Sequence, residues 1–282
     1  MKRKVITLIS ALMLVITCIS FAGCGASEDT NNLTSKSNTT SNTTDSSSSD
    51  LQNVKEKGTL VVGITDFEPM DYKDDNGKWI GIDADTARAY AKSIGCKVEF
   101  IEINWDSKEM ELANKNIDCA WNGMTLTDGV KKAMATSNPY CNNAQVVVIN
   151  TKIHKDVKSI RDCKDFYFTV EAGSAGEEQA KANDFEYLGV ETQSDAVMEV
   201  AAGTADACII DSLMADAMTG NGSSYDKLKK TISLNEEFYG VGFRKGSDLV
   251  DSLNNFLKES YESGKLAKIF GKYDAEGSMV KQ

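Results

Sequence analysis

Residues 121–134, WNGMTLTDGVKKAM, set an indole ahead of a run of small polar residues and then open a helix. Hydroxyl and amide side chains ahead of a helix start can gather an anionic group against backbone N–H groups and the positive end of the helix. This is the chemistry of holding a ligand. Catalysis by histidine and His-rich metal binding are not expected, because His154 is the one histidine in the chain. No paired-carboxylate motif or nucleophile arrangement stands out, and the residues imply no cofactor and no metal.

The elements that must position this stretch follow from periodicity. TLVVGI (59–64) is a short β-branched apolar run and predicts a buried strand. DADTARAYAKSIG (83–95) predicts a helix with an Asp cap and a Gly stop, KVEFIEI (97–103) a strand, SKEMELANK (107–115) a helix and DCAW (118–121) a short strand. Such alternation predicts parallel α/β units. A weak internal repeat supports two similar lobes: ELANKNIDCAWNG (111–123) and EVAAGTADACIID (199–211) each place Glu, then Ala two later, then Asp seven later, then an apolar strand. Ligands bind beyond the carboxyl ends of parallel strands, which here means residues 121–123 in one copy and Asp211 in the other. After SNPY, the run AQVVVI (144–149) begins new material, a second αβ set fills about 150–235, and EFYGVGFRKG (237–246) is extended again before two closing helices. Two extended crossings around a central insert imply a discontinuous first lobe and a cleft.

The ends and composition bound the setting. The first 24 residues run from a basic segment through an apolar one to FAGC, the pattern of a lipoprotein leader with Cys24 as the lipidated residue; the alternative is an uncleaved anchor helix. Residues 26–50 contain 18 Ser, Thr or Asn out of 25. Such a composition cannot bury a core and spans on the order of 30 Å as a flexible tether. The net charge is −11, and −14 once Lys2, Arg3 and Lys4 leave with the leader, so nucleic acid is not an expected partner. Beyond Cys18 and Cys24, five cysteines remain at wide spacings: Cys96, Cys119, Cys141, Cys163 and Cys208. The odd count fits no disulfide or metal signature, and buried free thiols are expected.

The motifs LVVGITDFEPMDY, GIDADTARAYAKSIG, NIDCAWNGMTLT, SNPYCNNAQVVVI, GTADACIIDS, YGVGFRKG and GKLAKIFGKY, in this order over about 55–275, resemble the solute-binding proteins of family 3, polar amino acid type, that serve ABC transporters. The resemblance implies a periplasmic-binding-protein-like α/β fold, two α/β lobes joined by two hinge strands. It implies a leader at 1–23, a tether at 24–54, lobe 1 at 55–143 and 238–282, and lobe 2 at 144–237. It implies an amino acid as ligand, an ABC permease as partner, a membrane contact through the N-terminal lipid on the extracytoplasmic face, a monomer, and no enzymatic activity. A receptor's sensing module and a dehydratase-like enzyme on the same scaffold are the alternatives.

The resemblance also implies site residues. Phe67 and Trp105 wall the substrate, with Trp121 at the neighbouring strand exit. Asn122, Gly123 and Thr125 receive the carboxylate. Gly173, Ser174 and Ala175 open the second-lobe helix, and Asp211 pairs with the ammonium. Asp66 and Glu171 beside the cleft favour a cationic or cystine-like ligand, unless they are ordinary surface acids. The aromatics could instead be core residues, and Asp211 and Ser174 simple helix caps. One departure matters: Val130 stands where the family pattern has an arginine, and Lys131 would point about 100° away on a helix. Either Thr125, backbone N–H groups and the helix N-terminus suffice, or a basic group comes from elsewhere, or the ligand is not a plain α-amino acid. The leader yields a first prediction. Cys24→Ala should release the protein from the membrane or leave it unprocessed, read by detergent partitioning of cell fractions; unchanged partitioning would refute anchoring at Cys24.

Overall fold

A computed structural model of the chain describes residues 49–155 and 157–282; the leader, Cys24 and most of the expected tether lie outside these residues. The strands form two mixed sheets. The first has the order β4 (Lys97–Glu102), β1 (Thr59–Ile64), β5 (Cys119–Thr125), β13 (Glu237–Phe243), β6 (Ala135–Thr136), with β7 (Cys141–Asn143) also paired to β13. The second has the order β10 (Glu186–Val190), β9 (Tyr167–Glu171), β11 (Ala207–Asp211), β8 (Gln145–Asn150), β12 (Leu228–Ser233). A small ribbon pairs β2 (Tyr72–Lys73) with β3 (Trp79–Ile80). Helices α1 (Asp50–Lys57), α2 (Ile82–Ser93), α3 (Lys108–Ala113), α4 (Asp128–Ala133), α8 (Leu249–Glu262) and α9 (Lys265–Gly271) accompany the first sheet; α5 (Ala175–Ala182), α6 (Gln193–Ala202) and α7 (Ser212–Met218) accompany the second.

Each lobe keeps the parallel α/β units expected from the sequence: β1 is parallel to β4 and β5, and β9 to β10 and β11. The sheets are nevertheless mixed. β13 runs antiparallel to β5, and β8 antiparallel to β11. These strands are the two crossings between sheets, so they enter without the helical crossover that parallel pairing needs. β7, which leads into β8, pairs antiparallel with β13, Asn143 with Glu237 and Cys141 with Tyr239.

The internal repeat has a shared physical role. Asp118, in the turn before β5, accepts a hydrogen bond from the Val61 N–H at 2.8 Å and its own N–H donates to Val61 O at 2.8 Å. Asp206, before β11, does the same with Tyr167 at 2.9 Å in both directions. In each lobe the aspartate joins the entry of one strand to its parallel neighbour. The lone histidine, His154, pairs with Asp206 at 2.9 Å, a structural role.

Two expectations are corrected. The tether ends before residue 54: Ser49 caps α1 through the Gln52 N–H, Val54 is buried, and Arg244 forms an ion pair with Asp50 at 3.1 Å. The strand expected at 118–121 continues to Thr125. Side chains alternate along a strand, so Cys119 and Trp121 enter the main core with Tyr90 and Tyr140, while Ala120 and Met124 join a small cluster with Trp105 and Val130. The five described cysteines are free thiols, all buried except the half-buried Cys96.

The entry to α2 is pinned closely. Ile82 N–H donates to Pro69 O at 2.9 Å and Asp83 N–H to Met70 O at 3.0 Å. Gly81 precedes them at φ +126°, and a Cβ there would lie 2.1 Å from Met70 O. Gly81→Ala should therefore destabilise the protein by on the order of 3 kcal/mol, read as a lowered urea midpoint. A midpoint equal to wild type would show that this approach does not constrain the fold.

Candidate functional site

Between the two sheets lies a narrow cavity with about 20 Å³ of free space, well below the size of ordinary ligand pockets. It is lined from the first lobe by Trp105, Lys108, the β5 exit and α4, and from the second by the β9 exit, the start of α5, Gln193 and Asp211.

The β5 exit is built by three fixed contacts. Asn122 accepts from Thr65 N–H at 3.0 Å and donates to Thr65 Oγ1 at 2.8 Å. Gly123 sits at φ +55°, and a Cβ there would come 2.5 Å from the Phe67 ring. Its N–H donates to Asp83 Oδ2 at 2.7 Å, which also accepts from Tyr140 Oη at 2.7 Å. Asp71 lies beside Asp83 with neither carboxyl oxygen bonded, and burial pushes both acids upward. The hydrogen bonds keep Asp83 the better carboxylate, so the proton of the pair sits on Asp71. Thr125 donates to Glu237 Oε1 at 2.9 Å. Thr127 caps α4 through Val130 N–H and donates to Glu178 at 3.2 Å.

On the second lobe Ser174 caps α5, accepting from Glu177 N–H at 3.1 Å. Asp211 stands at the N-cap position of α7 but makes no capping hydrogen bond. Its Oδ1 accepts from Tyr239 Oη at 2.6 Å, from Gln145 Nε2 at 3.0 Å and from Asn143, while Oδ2 accepts from Gln193. Oδ2 keeps lone-pair capacity on the cavity side. Glu237 shares the same donors, accepting from Asn143 at 2.7 Å and Gln145 at 2.8 Å. Glu171 is buried, held by Thr65 and Gln193, with Oε1 unbonded. Burial pushes Glu171 up to about 8, against the pull of those hydrogen bonds and of the Lys108 charge. Burial and the Glu237 charge push Asp211 well above the usual carboxylate range.

Of the residues singled out in the sequence, Trp105, Asn122, Gly123, Thr125, Glu171, Gly173, Ser174, Ala175 and Asp211 line this cavity. Three do not. Trp121 is fully buried on the far face of β5, its ring 6.3 Å from that of Tyr90. Phe67 is buried against Gly123 and edge-on to Tyr239 at 6.3 Å, so it shapes the loop behind the cavity. Asp66 meets Ser194 Oγ at 3.3 Å, a contact between lobes at the cleft margin. Sequence reasoning missed Lys108, Gln193 and the hinge set Asn143, Gln145, Glu237 and Tyr239. A signal existed for Gln145 and Glu237: each is a polar residue at the mouth of an apolar strand run.

The chain belongs to the bacterial extracellular solute-binding proteins, family 3, which it matches over residues 60–276. It is 30% identical over 274 residues to the arginine-binding extracellular protein ArtP of Bacillus subtilis (strain 168), covering 93% of this chain and 96% of ArtP. It is 31% identical over 271 residues to the L-cystine-binding protein TcyA of the same organism, covering 94% of this chain and 96% of TcyA. The crystal structure of the ancestral amino acid-binding protein AncCDT-1, a precursor of cyclohexadienyl dehydratase, matches with a TM-score of 0.73 at 32% identity, over 80% of this chain and 99% of that one.

The raised acids make ligand-free stability depend on pH. Between the ordinary glutamate value of 4.5 and about 8, Glu171 keeps a proton in the folded state that it loses in the unfolded one. Its stabilising contribution is therefore complete below the unfolded value and is lost as pH rises through the folded one. Glu171→Gln should flatten the decline in urea midpoint between pH 5 and pH 8 relative to wild type. Parallel declines would show that Glu171 is not protonated in the folded protein.

Proposed function

We propose that this protein captures a polar amino acid, cationic or cystine-like, outside the cytoplasm and delivers it to an ABC importer as its lobes close. The observation that carries the reading is the pair of buried carboxyls, Glu171 and Asp211, which line one interlobe cavity with no ion-paired cation among the described residues. An ammonium or guanidinium entering there finds two acids whose charge burial now opposes. Arginine and cystine, the ligands named for ArtP and TcyA, are the first candidates.

The cavity residues singled out in the sequence form the binding site, and Asp66 borders it. Lobe 1 comprises 55–143 and 238–282 with α1 added at its start, and lobe 2 comprises 144–237. Closure uses hydrogen bonds that join the lobes, Lys108 to Gly173 O at 2.9 Å, Thr127 to Glu178 at 3.2 Å and Ser194 to Asp66 at 3.3 Å. A ligand favouring the closed arrangement shifts the equilibrium toward it. The protein acts as a monomer, is held at the membrane by lipid on Cys24, meets a permease when closed, and performs no catalysis.

Isothermal titration against the twenty amino acids and cystine should find a tight binder. Where that ligand is cationic, affinity should rise from pH 5 to pH 8 with release of protons, because the proton on Glu171 or Asp211 competes with the ligand's positive charge. Silence across the panel would refute amino-acid binding. A cationic ligand bound with affinity independent of pH would refute the role of these acids.

A further inference from the structure

An amino acid brings a carboxylate as well as an ammonium, and the wall at Val130 offers it no charge. Gly123 N–H is already bonded to Asp83, and Thr125 donates to Glu237. Lys131 and Lys132 on α4 are exposed. Among the described cavity residues one cation remains, Lys108 at the start of α3.

We propose that Lys108 receives the ligand's carboxylate, so that the cavity sorts a zwitterion with its carboxylate at Lys108 and its ammonium at Asp211 and Glu171. The assignment rests on the amino-acid-binding reading above. Lys108 is only 6% exposed. Its ammonium donates to two backbone carbonyls, Trp105 O at 3.0 Å and Gly173 O at 2.9 Å, and an ammonium has three N–H groups. No ion pair among the described residues holds it. A buried charge with no carboxylate in direct contact, only Glu171, Glu109, Asp106 and Glu178 acting from further off, is costly, and an apolar chain of the same length would fill the space without that cost. A carboxylate from the ligand supplies the missing counter-ion.

The position fits the same wall. Lys108 Nζ lies 5.0 Å from the centre of the Trp105 ring, and Trp105 packs in the small apolar cluster that contains Val130. The basic group thus reaches the cavity from α3 while α4 contributes only an apolar side chain. Burial pushes the Lys108 pKa down, against the pull of Glu171; an incoming carboxylate would raise it again.

The competing role is mechanical. Lys108 bonds Gly173 across the cleft and could act only as a latch that closes the lobes. The two roles separate in a cycle of protein and ligand variants. The probes are the tightest-binding amino acid of the panel and its α-carboxamide, which has the same side chain and ammonium but no negative charge. Wild type should bind the acid roughly ten- to a hundredfold more tightly than the amide. Lys108→Met should lose most of that ratio, Lys108→Gln should lose it while keeping a donor for Gly173 O, and Lys108→Arg should retain it. Thermal melting of each ligand-free variant checks folding. If Lys108→Gln weakens acid and amide by the same factor, Lys108 is a latch and the assignment is wrong. Equal binding of acid and amide by wild type overturns it without any variant. A panel with no binder overturns the amino-acid reading itself, a result distinct from a bound amino acid whose carboxylate ignores Lys108.

Discussion

Two buried acids, Asp211 and Glu237, share one set of donors, and the interlobe cavity depends on that arrangement. Asn143 and Gln145 each donate to both acids, and Tyr239 closes on Asp211 at 2.6 Å. Asn143 and Gln145 come from the first crossing between the lobes, Glu237 and Tyr239 from the second, and Asp211 from the end of a second-lobe strand. Like charges this close repel, and burial strengthens the repulsion. Burial and that repulsion push Asp211 well above the usual carboxylate range, while neutral amides and a phenol hold the pair together. The hinge is thereby tied together while the site stays electronegative.

That polarity gives the cavity a direction. Acids line the hinge side and the β9 exit, and Lys108 reaches across from the first lobe to sit between the Trp105 and Gly173 carbonyls. The first lobe positions its part through groups that are themselves fully engaged: Asn122 on Thr65, Gly123 on Asp83, Phe67 behind them. These residues define the wall by occupying it with fixed contacts, so rigidity here comes from satisfied hydrogen bonds in a buried setting. Membership of the solute-binding family agrees with such a cleft between two lobes.

The repeated aspartates, Asp118 and Asp206, show the same economy at the level of the lobe. Each clips the start of one parallel strand to its neighbour, so the exits that carry Asn122 and Asp211 emerge at corresponding points of two similar sheets. A carboxylate accepting a backbone N–H is worth more than a neutral bond. The repeat therefore keeps the residue that aligns the strands, while the ligand-facing ends diverge into an amide in one lobe and an acid in the other.

By itself the sequence determined the main elements, their alternation, the two crossings and the strand end at Asp211, because periodicity, caps and turn residues act within a few positions of the chain. It also determined the acidic character and the missing arginine at Val130. What it left open was decided by long-range packing. Trp105 and Trp121 look alike locally, yet one lines the cavity and the other fills the core, since β5 runs on to Thr125 and its pleat carries Trp121 to the α2 side. Lys108 reads as a solvent-facing helix residue until Gly173, 65 positions later, is folded against it. The donors that hold Asp211 come from chain segments 18 to 68 residues away. Which face of an element meets the cleft is a property of what packs on its other face, and only the assembled lobes contain that information.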